Sequence, residues 1–517
     1  MRALKIIAVL GFLGLFGLVS VQLFFPESFS LSAPFSGPST QGNFFQETSD
    51  APADPASLNS RPLLTVGFGT DIGQLEPTSL DPLVRFRTNQ MYEPLVRFDD
   101  RLRVTPVLAK SWGRISDTEF EFQIRNNVRF HSGKPLTADD VVASFSRAKN
   151  FVSSDLKSFF QDVQMTAFGD DRVRVMTARP DSLLLSKMTF VLIFPAEFAE
   201  NESFAPNGTG PYRFVSSKKN EESMLKRFDD YWRAAPVFDR IVLQIIPETK
   251  KRLEAFLSGE IDFLPFINPS QAQELERRNV KIISVPSFET HFLVFNTTAR
   301  FQNPRFRQAV IRTLDPDVLL TFIKGYGKKA SQFVSRGVFG FSSTLVRESY
   351  DLDSARSIVQ RLFNFQRLPI SIALPVGFQD MGSYIQQQLD AAGFAPTVSY
   401  FHPEEIASKA KEFDLFFSGW NFNLGDSFDF FEQAATTNAP ENYSSYSNAE
   451  LDSLVQKGRV TAAAEDRLAI LQRISQILLK EDLYGVPLFE PNLLFAGAPD
   501  FHFTSSSDGT VLLSHAY

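Results

Sequence analysis

The 517-residue sequence contains no cysteine. That excludes thiolate catalysis, disulfides, cysteine-ligated zinc and iron–sulfur centres, and also a lipid anchor built on an acylated cysteine. Secreted animal proteins of this size usually carry disulfides, so a cysteine-free exported chain fits a bacterial envelope better. Histidine is scarce: the five residues, at 131, 291, 402, 502 and 515, are dispersed, with no pair at helical ligand spacing. There is no His-Glu-x-x-His zinc motif and no Gly-x-Ser-x-Gly elbow. Gly67, Gly69 and Gly73 have the wrong spacing for a dinucleotide-binding loop. The net charge is −7, and no long run of Lys or Arg offers a nucleic-acid surface. No catalytic constellation, no metal site and no cofactor is therefore expected.

Aromatic composition is lopsided, with 54 Phe against 11 Tyr and 3 Trp. So many phenylalanines must lie mostly in the core, leaving a few to line a ligand cleft. The length predicts several domains.

Arg2 and Lys5 precede an apolar run from Ile6 to Phe25, the pattern of an export signal. Its length approaches that of a membrane span, so residues 1–33 read as either a signal peptide, cleaved near Ser32 or Ala33, or a membrane anchor through 6–25. Residues 34–60, rich in Pro, Ser, Ala and Gly, read as a flexible tether.

Regular patterning begins at Leu63–Phe68, a predicted strand. From Glu119 to Arg125, Phe120, Phe122 and Ile124 alternate with polar residues, as in a half-exposed strand. Thr137 and Asp140 form a capping-box pair before a helix with Val141, Phe145 and Ala148 on one side. Lys250–Ser258 predicts a helix ended by Gly259, and Asn303-Pro304 opens another. Residues 368–420 are the most informative. Strand (Ile370, Ile372, Leu374), helix (Met381, Tyr384, Ile385, Leu389, closed by Gly393), strand (396–401), helix (403–411) and strand (413–417) imply parallel strands with helical crossovers. Ligands of such sheets gather beyond the carboxyl ends of the strands, where Gly419, Trp420 and Asn421 are expected.

Several segments, in order, resemble the bacterial extracellular solute-binding proteins of the peptide- and nickel-binding type, family 5. They are SLDPL at 79–83, MYEPLVRFDDRLRVTPVLAKSW at 91–112, VRFHSGKPLTADDVVASFSR at 128–147, GTGPYRF at 208–214, YW at 231–232, GEIDF at 259–263, FNT at 295–297 and RFRQAV at 305–310. The resemblance implies an α/β, two-lobed periplasmic-binding-protein-like fold of type II, with an extra small α+β domain and a hinge between the lobes. By that analogy lobe I combines 61–90, 206–290 and 486–517, the extra domain is 91–205, and lobe II is 291–485. It also implies the substrate-binding component of an ABC importer, periplasmic or held at the outer face of the inner membrane. Such a protein is expected to be monomeric, to partner permease subunits, and to close on a peptide or similar small solute. A tethered sensor on the same fold and a secreted hydrolase are the alternatives.

Peptide-binding members of the family carry Gly-Trp-x-x-Asp, whose aspartate pairs with the ligand's amino group. Here the run is Gly419-Trp420-Asn421-Phe422-Asn423. Asn423 accepts a hydrogen bond but supplies no neutralising charge, and Asp426 and Asp429 are near enough in sequence to compensate. Phe489 and Glu490 match a region that contacts ligand in the family. The expected ligand-binding set is Gly419, Trp420, Asn421, Phe422, Asn423, Asp426, Phe489 and Glu490. His131 is expected in a turn or packing role, and Gly208 and Gly210 in a tight backbone turn.

Overall fold

The computed structural model describes residues 62–71, 75–99, 101–201, 206–297, 299–363, 366–461, 463–499, 501–503 and 505–516. The signal or anchor segment and the tether expected over 1–60 lie outside the described residues.

One twelve-stranded sheet runs through the molecule. From one edge the order is Phe394–Phe401, Leu368–Pro375, Leu415–Asn421, Glu289–Phe295, Gly485–Gly497, Phe263–Leu264, Leu64–Phe68, Arg240–Ile245, Glu222–Arg227 and Tyr212–Lys218. Ile282–Pro286 and Gly327–Lys329 also pair with the long central strand Gly485–Gly497. That strand serves two lobes. Its first half is antiparallel to Glu289–Phe295 and Gly327–Lys329. From Asn492 onward it pairs with Ile282–Pro286 and then Phe263–Leu264. Partners therefore change at Pro491–Asn492. The other crossing is Pro286–Glu289, and the Ser287 hydroxyl donates to the Pro491 carbonyl, tying the two crossings side by side.

The predicted strand–helix–strand–helix–strand unit is present. Leu368–Pro375 is parallel to Phe394–Phe401 and to Leu415–Asn421. The helix Gln379–Ala392 buries Met381, Ile385 and Leu389 and ends where Gly393 takes φ +102°, a conformation strained for any residue with a Cβ. The third strand is longer than predicted. Gly419, Trp420 and Asn421 are its last residues rather than a loop, paired with His291, Thr290 and Glu289. Small and polar residues end the apolar run before the backbone pairing ends.

The small domain is a four-stranded antiparallel sheet, Ala109–Ser116, Glu119–Ile124, Arg172–Thr177 and Val163–Ala167 in that order, covered by the helix Ala138–Asn150. Asp140 accepts from the Thr137 amide and hydroxyl at 2.9 and 2.8 Å, as the capping pattern predicts. The helix buries Val141, Phe145 and Ala148 against Phe122, Val173 and Val175.

His131 stitches this domain to the first lobe. Its Nδ1 accepts from the Gly208 amide at 3.3 Å, so Nε2 carries the proton and donates to the Gly210 carbonyl at 3.0 Å. Burial pushes the imidazole down to about 4, against partial support from that carbonyl, and keeps it neutral. The glycines serve close approach more than a turn. A Cβ on Gly208 would meet the Met91 carbonyl oxygen at 2.0 Å, and one on Gly210 the Met91 carbonyl carbon at 2.6 Å.

Candidate functional site

A cavity of about 580 Å³ lies between two walls. One wall comes from the first lobe and the small domain: Ser79–Asp81, Asp155, Ser158, Phe159, Leu183, Lys187 and Phe190. The other comes from the second lobe: Glu289 and His291, the 403–407 turn, the end of the 415–421 strand, and residues between 423 and 443. The volume is in the range of small-molecule sites.

Local structure fixes the first wall. Asp81 caps the helix Pro82–Met91 by accepting from Leu83 and Val84 at 2.8 and 3.0 Å. Asp155 accepts from the Leu80 amide at 2.8 Å and the Ser79 hydroxyl at 3.1 Å, locking two loops together. Phe159 and Phe190 pack edge to face, 6.0 Å apart, and supply apolar surface. On the second wall, His291 donates from Nε2 to the Glu289 carboxylate at 2.6 Å, and both are buried.

Of the expected residues, Gly419, Trp420, Asn421 and Asn423 line the cavity. Trp420 leans on Phe430, 5.4 Å away. The other four do not reach it. Phe422 is fully buried against Phe430. Phe489 is fully buried behind His291, ring to ring at 5.2 Å. Glu490 is buried and paired with Arg336 at 2.9 Å. Asp426 is buried in a bidentate bond with Arg467, at 2.5 and 3.1 Å, and also accepts from the Phe428 amide at 2.8 Å. Its carboxylate is committed to that network, so it holds no charge in reserve for a ligand.

The cavity is rich in carboxylates, and most are internally satisfied. Asp81 and Asp155 hold backbone, Glu289 holds His291, and Glu432 is paired with Arg459. Two are not. Neither Asp429 nor Glu441 has a cationic side chain within 4.0 Å among the described residues. Burial pushes Asp429 up to about 6; Lys187, across the cleft, opposes that rise, and Asp426 adds to it. The Trp420 indole N–H is near enough to oppose it further, but makes no hydrogen bond of ordinary geometry. Burial also pushes Glu441 up to about 7, with Asp429 adding to the rise. Lys187 itself is held by Asp181 at 2.8 Å. Glu441, Lys187, His291 and Phe159 were not legible as site residues, because no local spacing marks them. Among the described residues no group of three His, Asp or Glu is placed to hold a metal ion.

A two-walled cavity on a hinged α/β frame is the geometry of a solute receptor, and comparison with known proteins decides the matter. The profile described as bacterial extracellular solute-binding proteins, family 5, middle region, matches residues 103–442. The chain belongs to this family. It is an extracytoplasmic solute-binding protein of the kind that serves ABC importers, and the family is one of binding proteins. The chain is 24% identical to the dipeptide-binding protein of Escherichia coli over 435 residues, which is 75% of this chain and 81% of that protein. It is 23% identical to heme-binding protein A of Haemophilus influenzae over 448 residues, 78% and 82% of the two chains. Among solved structures, the ABC transporter substrate-binding protein CtaP of Listeria monocytogenes superposes with a TM-score of 0.81 at 24% identity, covering 89% of this chain and 99% of that one. The family's common fold thus reaches well beyond the matched middle region, while identities this low leave the ligand open to be read from this chain's own cavity.

Proposed function

We propose that the protein captures a peptide-sized solute bearing a cationic group, by closure of its two lobes, and delivers it unchanged to the permease of an ABC importer. The observation that carries this reading is the pair Asp429 and Glu441, facing a 580 Å³ inter-lobe cavity with no internal cation bound to either. An ammonium placed there restores both carboxylates to their ionised form and makes charge-assisted hydrogen bonds. The missing charge at Asn423 is supplied from these two positions instead. The dipeptide-binding relative supports the peptide class, and Trp420, Phe159 and Phe190 give apolar surface for its side chains. Residues 1–33 deliver the protein across the membrane.

Calorimetry with a dipeptide panel tests this. Dipeptides with free amino groups are expected to bind, and their N-acetylated forms to lose about tenfold or more in affinity, the equivalent of one charge-assisted hydrogen bond. Equal binding of acetylated and free forms contradicts the proposal.

A further inference from the structure

A second, smaller space of about 60 Å³ lies on the seam between the lobes. Leu80, Phe190, Asn421 and Asn423 line both it and the main cavity, so the two adjoin. Two guanidiniums share its wall: Arg85, from the helix Pro82–Met91, and Arg97, from the strand Val96–Phe98. Arg85 lies over the Phe190 ring, 4.6 Å from its centroid, and its Nη1 is buried with no hydrogen-bond partner. Among the described residues no carboxylate comes within 4.0 Å of either guanidinium. Asp508 also lines the space, but its oxygens are taken by the Thr510 amide at 2.9 Å, the Thr510 hydroxyl at 3.1 Å and the Ser506 hydroxyl. From the second lobe the seam receives only the neutral amides of Asn421 and Asn423, and the Asn421 Oδ1 is itself buried without a partner.

Two like charges side by side, half-buried and facing neutral amides, are a costly arrangement in an unliganded protein. Burial pushes Arg85 down to about 10, with Asp508 opposing and Arg97 adding to the fall. Arg97 is lowered by burial too, although Glu93, Tyr231 and Asp508 support its charge. An anion between them relieves both effects, and planar guanidiniums suit a carboxylate. The space exceeds the ~10–15 Å³ that one water requires on this measure, which leaves room for a small polar group such as a carboxylate.

We propose that this seam is an anion subsite, in which Arg85 and Arg97 receive a carboxylate of the bound solute while Asn421 and Asn423 close on it from the second lobe. The inference rests on the main cavity being the solute site. It gives the solute two ends, a cationic one toward Asp429 and Glu441 and an anionic one on the seam. A free peptide or another zwitterion fits; a cation without an acidic group does not. The neutrality of Asn421 and Asn423 acquires a reason, since a carboxylate at either position would satisfy the guanidiniums internally and bar the ligand's own.

Two measurements on the full-length protein test it. First, a library of di- and tripeptides, each as free acid and as C-terminal amide at equal concentration, is offered to the protein, and the retained species are identified by native mass spectrometry. Wild type is expected to retain the acids about tenfold over the amides, and Arg85→Gln and Arg97→Gln to lose that preference. Asn423→Asp is expected to lose it as well while melting at or above the wild-type temperature, which separates loss of the subsite from loss of the fold. Acids and amides retained equally by wild type, or a preference unchanged in the arginine variants and in Asn423→Asp, overturns the subsite. Second, malonate is titrated calorimetrically at ionic strength held constant with chloride. Saturable binding that weakens about tenfold in either arginine variant supports the subsite; no saturable binding overturns it. Malonate binding with no peptide retained leaves the subsite standing and overturns the peptide reading instead.

Discussion

At the scale of single residues, carboxylates three positions apart do opposite work. Asp426 is spent on Arg467, which also lies between the Phe339 and Phe428 rings at 5.4 Å from each. Removing it strands a buried guanidinium, so Asp426→Ala is expected to lose about 3–5 kcal/mol of stability in urea unfolding. Asp429, three positions on, faces the cavity and Lys187. Its pKa and that of Glu441 are raised in the folded state, to about 6 and about 7, from 3.8 and 4.5. Between those limits the folded protein holds protons that the unfolded chain has released. The contribution of these two groups to the stability of the ligand-free protein therefore falls as pH rises from about 4 to 7. A bound ammonium favours the ionised forms, so the sign reverses for the ligand: affinity is expected to rise between pH 5 and 8, with protons released on binding. Calorimetry in buffers of different ionisation enthalpy reads that release. In Asp429→Asn with Glu441→Gln the pH dependence is expected to vanish. Persistence of the full dependence in the double variant counts against this assignment. None of this is visible in the sequence, which offers both 426 and 429 as compensating carboxylates but puts only Asp426 in the expected binding set; the approach of Arg467, forty-one residues downstream in the chain, reverses that choice.

Elements were more legible than residues. The parallel unit over 368–421 could be read because its strands are short apolar runs, its longer helix has apolar residues at helical spacing, and Gly393 closes that helix where a left-handed residue is needed. What failed was the end of the third strand, where Gly419, Trp420 and Asn421 keep their backbone pairing after the apolar pattern stops. Gly208 and Gly210 illustrate a second limit. Their sequence suggests a turn, whereas their packing answers to the Met91 backbone, a contact between distant segments. Gly208→Ala places a Cβ where the Met91 oxygen already sits and is expected to cost about 1–3 kcal/mol or more, read as a lowered urea midpoint with an unchanged slope. An unaltered midpoint would show that the loop gives way freely.

At the scale of the whole molecule, the large sheet changes strand partners at two adjacent crossings, Pro286–Glu289 and Pro491–Asn492, joined by Ser287 and the Pro491 carbonyl. Periodicity does not reveal such a crossing, since a strand that changes partners half-way looks like any other strand. The cavity lies where the lobes face each other, and residues from both form its walls. Closing the lobes on a solute is the central claim. The absence of cysteine makes it directly measurable, because Lys250→Cys in the first lobe and Ser383→Cys in the second, both exposed, accept spin labels at those two positions alone. Pulsed dipolar spectroscopy with and without a dipeptide at concentrations that saturate the calorimetric heat is expected to show a shorter and narrower inter-lobe distance distribution. A distribution unchanged at saturation contradicts the account.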